Sequence, residues 1–437
     1  MNKLTIGSIF FVLIIAIPSI NIGAVDNESI IYVNNDNTMG PWDGSPEHPF
    51  QYIQDAIDAA VPYDTIFVYE GIYYEQLHID KAISLIGQYK QQTIIDSDKQ
   101  GSTIAIDEVD YVLITNFTIK HGINPANDFR FGICINGSSD IRIISNIIIN
   151  CYCGIVIQQE SKDCIVLNNE IMNNDLGFDL SSSYSNLIYE NTFLNNNLSL
   201  ILSNSKDNYI ANNIFNDGNH PVTFYNSYDS FKQNYWGKPR SIHVIFGYRS
   251  LFGSTFYIPW ICCDFQAASS VDSIQSNPVA VMDTTKGTMM FELYASKTPI
   301  TASNFIKLSN IGFYKNIVFH RVIDDFVIQG GGYYANGTHV ESPFGTIDLE
   351  INPDIRHVDG AISMARTNDP NSATSQFFIC DGAQSHLDDN YAAFGTLLVG
   401  FDVLDAISSV ETKTKYNFMQ DWPIDDIIIN AVDILNQ

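Results

Sequence analysis

A chain of 437 residues is too long for one ordinary core, and a hydrophobic content of 45% is that of a globular protein rather than a disordered one. Forty-nine acidic residues against 22 basic ones give a net charge of −27, and from Asn277 onward nine Lys/Arg still face twenty Asp/Glu. A field of that sign repels phosphate backbones and offers no basic stripe, which disfavours nucleic acid as a partner and leaves solubility outside the cell as the plain reading.

Residues 1–24 carry the marks of a targeting signal. Lys3 supplies a positive start, Ile9 to Ile17 is an apolar run with Phe10, Phe11 and Leu13, and Pro18, Ser19 and Gly23-Ala24 offer small residues for cleavage. The run is shorter than the roughly 20 apolar residues of a spanning helix, so a cleaved signal is expected, with an uncleaved N-terminal anchor as the alternative. The expected location is secreted or cell-surface, and the chain is not an integral membrane protein unless that signal stays uncleaved. The seven cysteines, an odd number, lack zinc-knuckle spacing: Cys151-Tyr152-Cys153 and Cys262-Cys263 have no two-residue gap and no complementary His pair. No metal site or cofactor is expected. Most cysteines read as small core residues, and an oxidising compartment leaves one or two disulfides open.

Pro49-Phe50 opens an amphipathic helix with Ile53, Ala56, Ile57 and Ala60 on one face, followed by strands at Thr65–Val68 and Ala82–Gly87. From about residue 105 to 236 the chain repeats with a period near 22. The unit is Asn, a variable residue, then an apolar one: Asn146-Ile147-Ile148, Asn169-Glu170-Ile171, Asn191-Thr192-Phe193, Asn213-Ile214-Phe215, Asn234-Tyr235-Trp236. A second register runs through Gly132-Ile133, Gly154-Ile155 and Gly177-Phe178. Short strands separated by Asn, Ser, Asp and Gly cannot bury an apolar face within one coil. Stacked, they form a parallel β-helix, with Asn side chains bonding to one another along the stack. A leucine-rich repeat needs a Leu consensus that is missing, and a propeller needs a longer unit.

The stretch from Pro49 to Gly87 resembles the N-terminal cap of pectin-lyase-like parallel β-helix proteins, and the likeness extends over residues 28–265. Lyases of that fold place acids around calcium beside an Arg or Lys base. Here the outward positions read as mostly Asn, Ser and Gln, and Asp179 stands nearly alone. A scaffold or glycan-binding surface is therefore expected of this half. Residues 266–276, rich in Ser and poor in charge, are expected to be a linker to a second domain at 277–437.

The densest motif is Phe319-His320-Arg321-Val322-Ile323-Asp324-Asp325-Phe326-Val327-Ile328-Gln329-Gly330-Gly331-Gly332. It reads as a strand followed by a Gly-rich turn. No Lys-Ser/Thr follows and no helix is signalled, so the Gly triplet is not a phosphate loop. Apolar faces at helical spacing predict helices over Ile300–Asn310 (Phe305 with Leu308) and Phe401–Val410 (Val403 with Ile407).

With Gly360-Ala361-Ile362-Ser363-Met364-Ala365-Arg366, Ser375-Gln376-Phe377-Phe378-Ile379 and Phe394-Gly395, this region is identified as a member of the cyclophilin family, most similar to its prokaryotic branch. The resemblance implies an eight-stranded antiparallel β-barrel with two capping helices, giving a mainly β fold of parallel β-helix followed by barrel. It also implies peptidyl-prolyl isomerase activity. Arg321 is then the donor to the prolyl nitrogen, oriented by Gln329 from the same strand. Phe326, Val327, Phe378 and Leu387 form the proline pocket, the Ala365-Arg366 backbone and Gln376 hold the peptide, and His386 and Tyr391 lie at the rim. Val327 stands where Met is common, and His386 where many members have Trp, which puts tight cyclosporin binding in doubt. His320 is expected to be structural and Cys380 an inert buried thiol. The function read from the sequence is a secreted foldase acting on proline-containing polypeptides, with glycans as a further expected partner of the β-helix. The alternative is a carbohydrate-binding surface protein whose second domain only binds proline peptides.

Overall fold

The computed structural model describes residues 29–435 apart from 99–100, 122–130, 218–220, 239–240, 251–256, 272–273, 275–276 and 417–418. The expected signal segment at 1–24 lies outside the described residues. The N-terminal half is a parallel β-helix of three sheets with nine, nine and seven strands. A helix at Ile53–Ala59 covers its first coil, burying Ile53, Ala56 and Ile57. Strands form at Thr65–Val68 and Ser84–Gly87, the positions read from the sequence to within two residues.

The Asn richness has a structural cause at the corners. Ser145, Asn168, Glu190, Asn212 and Gln233 recur one coil apart, all with left-handed backbone at φ between 55° and 57°. Asn tolerates that region better than most residues and β-branched residues tolerate it worst, which keeps β-branched residues out of these corners. Inside, Asn146, Asn169, Asn191, Asn213 and Asn234 form a ladder in which each Nδ2 donates to the next Oδ1 at 3.0–3.2 Å. It ends on Asp264 Oδ2 at 3.1 Å. Two shorter ladders behave alike: Asn174–Asn196 ends on Asp217, and Asn186–Asn208 on Asp229. Asn191 is fully buried, and its Nδ2 donates to Val166 O, Tyr189 O and Asn213 Oδ1. Replacing Asn191 by Ala therefore orphans several buried groups at about 1–3 kcal/mol each, and a loss of at least about 3 kcal/mol is expected in denaturant unfolding. An unchanged midpoint would show that the ladder is dispensable.

All seven cysteines are free thiols, five of them buried, so no disulfide forms. Chain packing rather than covalent cross-linking holds the coils, and Cys164 and Cys151 point into the core.

The C-terminal half is an antiparallel barrel. Its strand order is Ile317–Val318, Ile428–Leu435, Val279–Thr284, Gly287–Leu293, Ala393–Val399, Ala361–Met364, Phe377–Cys380, Val327–Gly330, Arg321–Ile323. The first and last are two parts of one segment, so the sheet closes on itself with eight strands. Helices Pro299–Asn310 and Phe401–Ser408 cap it, the second stopping two residues short of the expected Val410.

The halves are not strung on a loose linker. Ala267 and Ala268 are buried at the end of the β-helix, where Ala268 N donates to Asn234 O at 2.9 Å. The expected linker thus begins by sealing that core. One face of the β-helix, carrying Ile165, Leu167, Leu187, Tyr189 and Ala211, packs against Val279, Val281, Met290, Leu398, Val399 and Leu435 of the barrel in a single apolar cluster. Outward positions on this face are apolar, against the Asn/Ser/Gln expectation, because a second domain covers them. Arg142 Nη1 meets Asp433 Oδ2 at 2.9 Å with both side chains about nine-tenths buried. Thr288 Oγ1 donates to Asp140 Oδ1 at 2.9 Å, and burial pushes the Asp140 carboxyl up to about 6.

Candidate active site

The docking strands 279–284, 287–293, 393–399 and 428–435 occupy one half of the barrel, and the strands bearing the candidate residues occupy the other. Alternation places Ile328, Ile362, Phe377 and Ile379 in the barrel core. Their neighbours Val327, Ala361, Phe378 and Cys380 gather on the outer face with Leu387, Phe326, Ala365 and Tyr391. The candidate surface thus lies away from the β-helix.

The chain reverses at Asp324–Phe326, with Asp325 left-handed at φ 56°. That turn is pinned from three directions: Asp325 N donates to Asp381 Oδ2 at 2.8 Å, Asp381 N to Phe326 O at 2.9 Å, and Gln384 Nε2 to Asp325 O at 2.9 Å. Phe326 is fixed at the tip, its ring stacked on His386 with centroids 5.6 Å apart. The Arg321 guanidinium carbon lies 5.7 Å from the Phe326 ring centroid.

The sequence reading put Arg321 and Gln329 on one side of a single strand. Instead they face each other across a hairpin, register partners on antiparallel strands. Gln329 Nε2 donates to Gln376 Oε1 at 3.1 Å, so Gln329 orients the second glutamine. The group facing the guanidinium is one the sequence reading missed, Asp421, whose Oδ2 is 3.9 Å from Arg321 Nε. It sits on Met419–Pro423, a hundred residues on, and only the fold brings it close. The Gly triplet serves close approach. A Cβ on Gly331 would lie 2.5 Å from Ser375 O, and one on Gly332 would lie 2.6 Å from Gln376 Cδ.

Tyr391 meets Phe378 edge-on at 5.6 Å, and the Arg366 guanidinium lies 4.7 Å from the Tyr391 ring. Arg366 donates from Nε and Nη2 to Asn390 O, fixing the rim turn. All eleven residues named from the sequence therefore come together on one surface. His320 is buried against Tyr333 and Trp422, and burial pushes its imidazole down to about 4, so it stays neutral beside Arg321. Burial pushes the Cys380 thiol up to about 12, which leaves it unreactive.

The arrangement is an apolar cluster edged by two guanidinium groups, Arg321 over Phe326 and Arg366 over Tyr391, and by the amides of Gln329 and Gln376. Among the described residues on that surface, none is a nucleophile paired with a base. Such a surface can take a small apolar ring and aim a donor at it.

Comparison with known proteins agrees with this geometry. Residues 57–241 match the family described as periplasmic copper-binding protein (NosD). Among the described residues there is no group of three or more His, Cys, Asp or Glu that could hold a metal ion. Residues 279–434 match the family described as cyclophilin type peptidyl-prolyl cis-trans isomerase/CLD. A peptidyl-prolyl cis-trans isomerase of Acinetobacter baylyi is 38% identical over 164 residues, covering 36% of this chain and 86% of that protein. Peptidyl-prolyl cis-trans isomerase B of Escherichia coli is 35% identical over 35% of this chain and 96% of that one. A crystal structure of a Cryptosporidium parvum cyclophilin-type isomerase covers 37% of this chain and 98% of its own at 34% identity, with a TM-score of 0.34. Through its C-terminal half, behind a NosD-like β-helix, this chain belongs to the cyclophilin-type family and is a peptidyl-prolyl cis-trans isomerase.

Proposed function

We propose that this protein is an exported foldase whose isomerase site is the Arg321 surface, in an organisation of signal (1–24), β-helix (28–265), linking segment (266–276) and isomerase domain (277–437). The observation that carries it is the placement of the Arg321 guanidinium over Phe326, at the edge of the apolar cluster that includes Val327, Phe378 and Leu387. Cis and trans prolyl bonds are separated by roughly 18–20 kcal/mol because the amide nitrogen lone pair is delocalised. Twisting the bond localises that lone pair, and a donor then bonds a group absent from either planar form. Arg321 is that donor, permanently charged and planar. Phe326, Val327, Phe378 and Leu387 hold the proline ring, with His386 and Tyr391 at its rim. Gln376, held by Gln329, and the Ala365-Arg366 backbone hold the flanking peptide. Binding that strengthens only in the twisted state lowers the barrier. The test is isomerisation of a proline-containing peptide by the full chain and its Arg321 variant, and equal rates would leave a peptide-binding module in its place.

Export is supported by Lys3 with the apolar run to Ile17, and by the periplasmic description of the family that residues 57–241 match. The N-terminal sequence of the exported chain tests it, and a start at Met1 would favour an anchor.

A second role, glycan binding by the β-helix, is favoured by an exposed aromatic shelf at its C-terminal end. Tyr225, Tyr248 and Phe246 are 41%, 43% and 53% exposed, with the Tyr225 and Tyr248 rings stacked at 5.8 Å. Flat rings of this kind suit sugar faces. Retardation of the full chain in polysaccharide-containing gels is expected, and the double variant Tyr225→Ala/Tyr248→Ala should migrate freely. Equal retardation of both would remove the shelf from the account.

A further inference from the structure

Behind the proline pocket lies a buried hydrogen-bond chain that the roles above leave unused. His357 is 2% exposed and Ser363 fully buried. His357 Nδ1 is 2.9 Å from Asp388 Oδ1, and His357 Nε2 is 3.1 Å from Ser363 Oγ. The His357 backbone N also donates to Asp388 Oδ1, at 2.8 Å. A carboxylate beside Nδ1 requires the proton there, which leaves Nε2 to accept from the Ser363 hydroxyl. The imidazole lies parallel to the Phe378 ring, centroids 5.9 Å apart at 15°. Ser363 and Phe378 are register partners on adjacent strands. Asp388 follows Leu387 directly, and Gln384 N donates to His357 O at 2.7 Å. One imidazole thus joins the turn bearing His386, Leu387 and Tyr391 to the strands bearing Ser363 and Phe378.

We propose that His357, held by Asp388, is a positioning residue whose neutral Nδ1–H form keeps Phe378 and the 385–391 turn at pocket geometry, and whose protonation at Nε2 switches isomerisation down in acid. This rests on the assignment of the Arg321 surface as the isomerase site. Protonation turns Nε2 from acceptor to donor. The Ser363 hydroxyl must then rotate away inside a closed space, and a charge appears against the back of Phe378. The charged groups around the ring are few. Asp388 lies on the turn, with His386 beside it, while Arg356 is occupied by Asp389 at 3.3 Å. From the strands Ser363 and Phe378 face the ring, and the Cys380 thiol lies near Asp388. Burial pushes the His357 imidazole below its ordinary value, and Asp388 pulls it partly back. A depressed imidazole keeps the neutral form above that value, so the loss comes as pH falls below the usual histidine range.

The experiment follows kcat/KM of the full chain on a proline-containing peptide from about pH 8 down to about pH 5. Activity is expected to fall on the acid side. Asp388→Asn, which removes the carboxylate favouring the imidazolium, moves that fall to lower pH. His357→Ala loses about tenfold or more at every pH through misplacement of the pocket wall. His357→Gln can donate to Asp388 and accept from Ser363, so it rescues the rate and abolishes the acid fall. An acid limb unchanged by His357→Gln overturns the proposal. So does an Nε2–H tautomer of His357 seen by imidazole nitrogen NMR of the unmutated chain, a measurement independent of any variant's folding. Arg321→Ala in the same assay separates the two assignments, because retention of the full rate there removes the site itself, whatever the pH profile.

Discussion

Arg321→Ala lowers kcat/KM for prolyl isomerisation by about 10²–10³-fold, the range found when one donor aimed at transition-state charge is removed. The loss should fall on kcat with little change in KM, since the interaction forms only as the bond twists. Folding should survive. The Arg321 side chain is 37% exposed, its strand is fixed by backbone pairing with Val327–Gly330, and its only ion pair in the described structure is the 3.9 Å contact with Asp421. An exposed pair at that distance contributes at most about 1 kcal/mol. Arg321→Lys restores the charge without the planar fork and should recover only part of the rate. Circular dichroism matching the parent, together with a rate equal to the parent, would mean that the domain binds proline peptides without catalysis through this residue.

Arg142→Met should destabilise the chain by about 3–5 kcal/mol, because it leaves the Asp433 carboxylate buried without its partner. Asp433 is 8% exposed, and the carboxyl of Asp283 lies near it on the neighbouring strand of the barrel, so the lost cation would not be replaced. The double variant Arg142→Met/Asp433→Leu should return stability to within about 1 kcal/mol of the parent or raise it, since apolar side chains fill such sites at little cost. Denaturant unfolding of the full chain measures both, with hydrogen exchange in Val279–Thr284 and Ile428–Leu435 reporting whether the domains separate. A single variant as stable as the parent would show that the halves do not depend on this contact. The same interface bears on fragment work. A chain cut to residues 277–437 would expose Val281, Met290, Leu398 and Leu435, which the β-helix covers.

Much of this architecture was legible in the chain because its determinants are local. The Asn-x-apolar spacing fixed the coil period and predicted the buried ladder, which forms from Asn146 to Asn234. The eleven candidate residues converge because family motifs encode a whole surface. What stayed hidden depended on contacts between distant segments. Asp421 and His357 reach the site from hairpin and loop positions with no pattern of their own. The docking face did leave a trace. Ile165-Val166-Leu167 and Leu187-Ile188-Tyr189 are apolar on consecutive positions, which a half-exposed strand would not be, and all six are buried. The strand reading of residues 319–329 missed the hairpin because Asp324-Asp325 is a turn signal embedded in an alternating apolar run.

The ladders of the β-helix have a direction. From rung to rung the side-chain bonds run one way, each Asn donating to the next residue toward the C-terminal end, and each of the three ladders terminates on an aspartate, a group that accepts without donating when ionised. A coil duplicated above that terminus would find a donor before it and an acceptor after it, so the stack can gain or lose whole layers of roughly 4.8 Å without leaving an amide unmatched. Beyond the carboxylates the same addition would set an acceptor against an acceptor. Such a stem is adjustable in length from within and closed to growth at its end. Evolution could thus alter the reach of the scaffold while no second molecule is invited to continue the column.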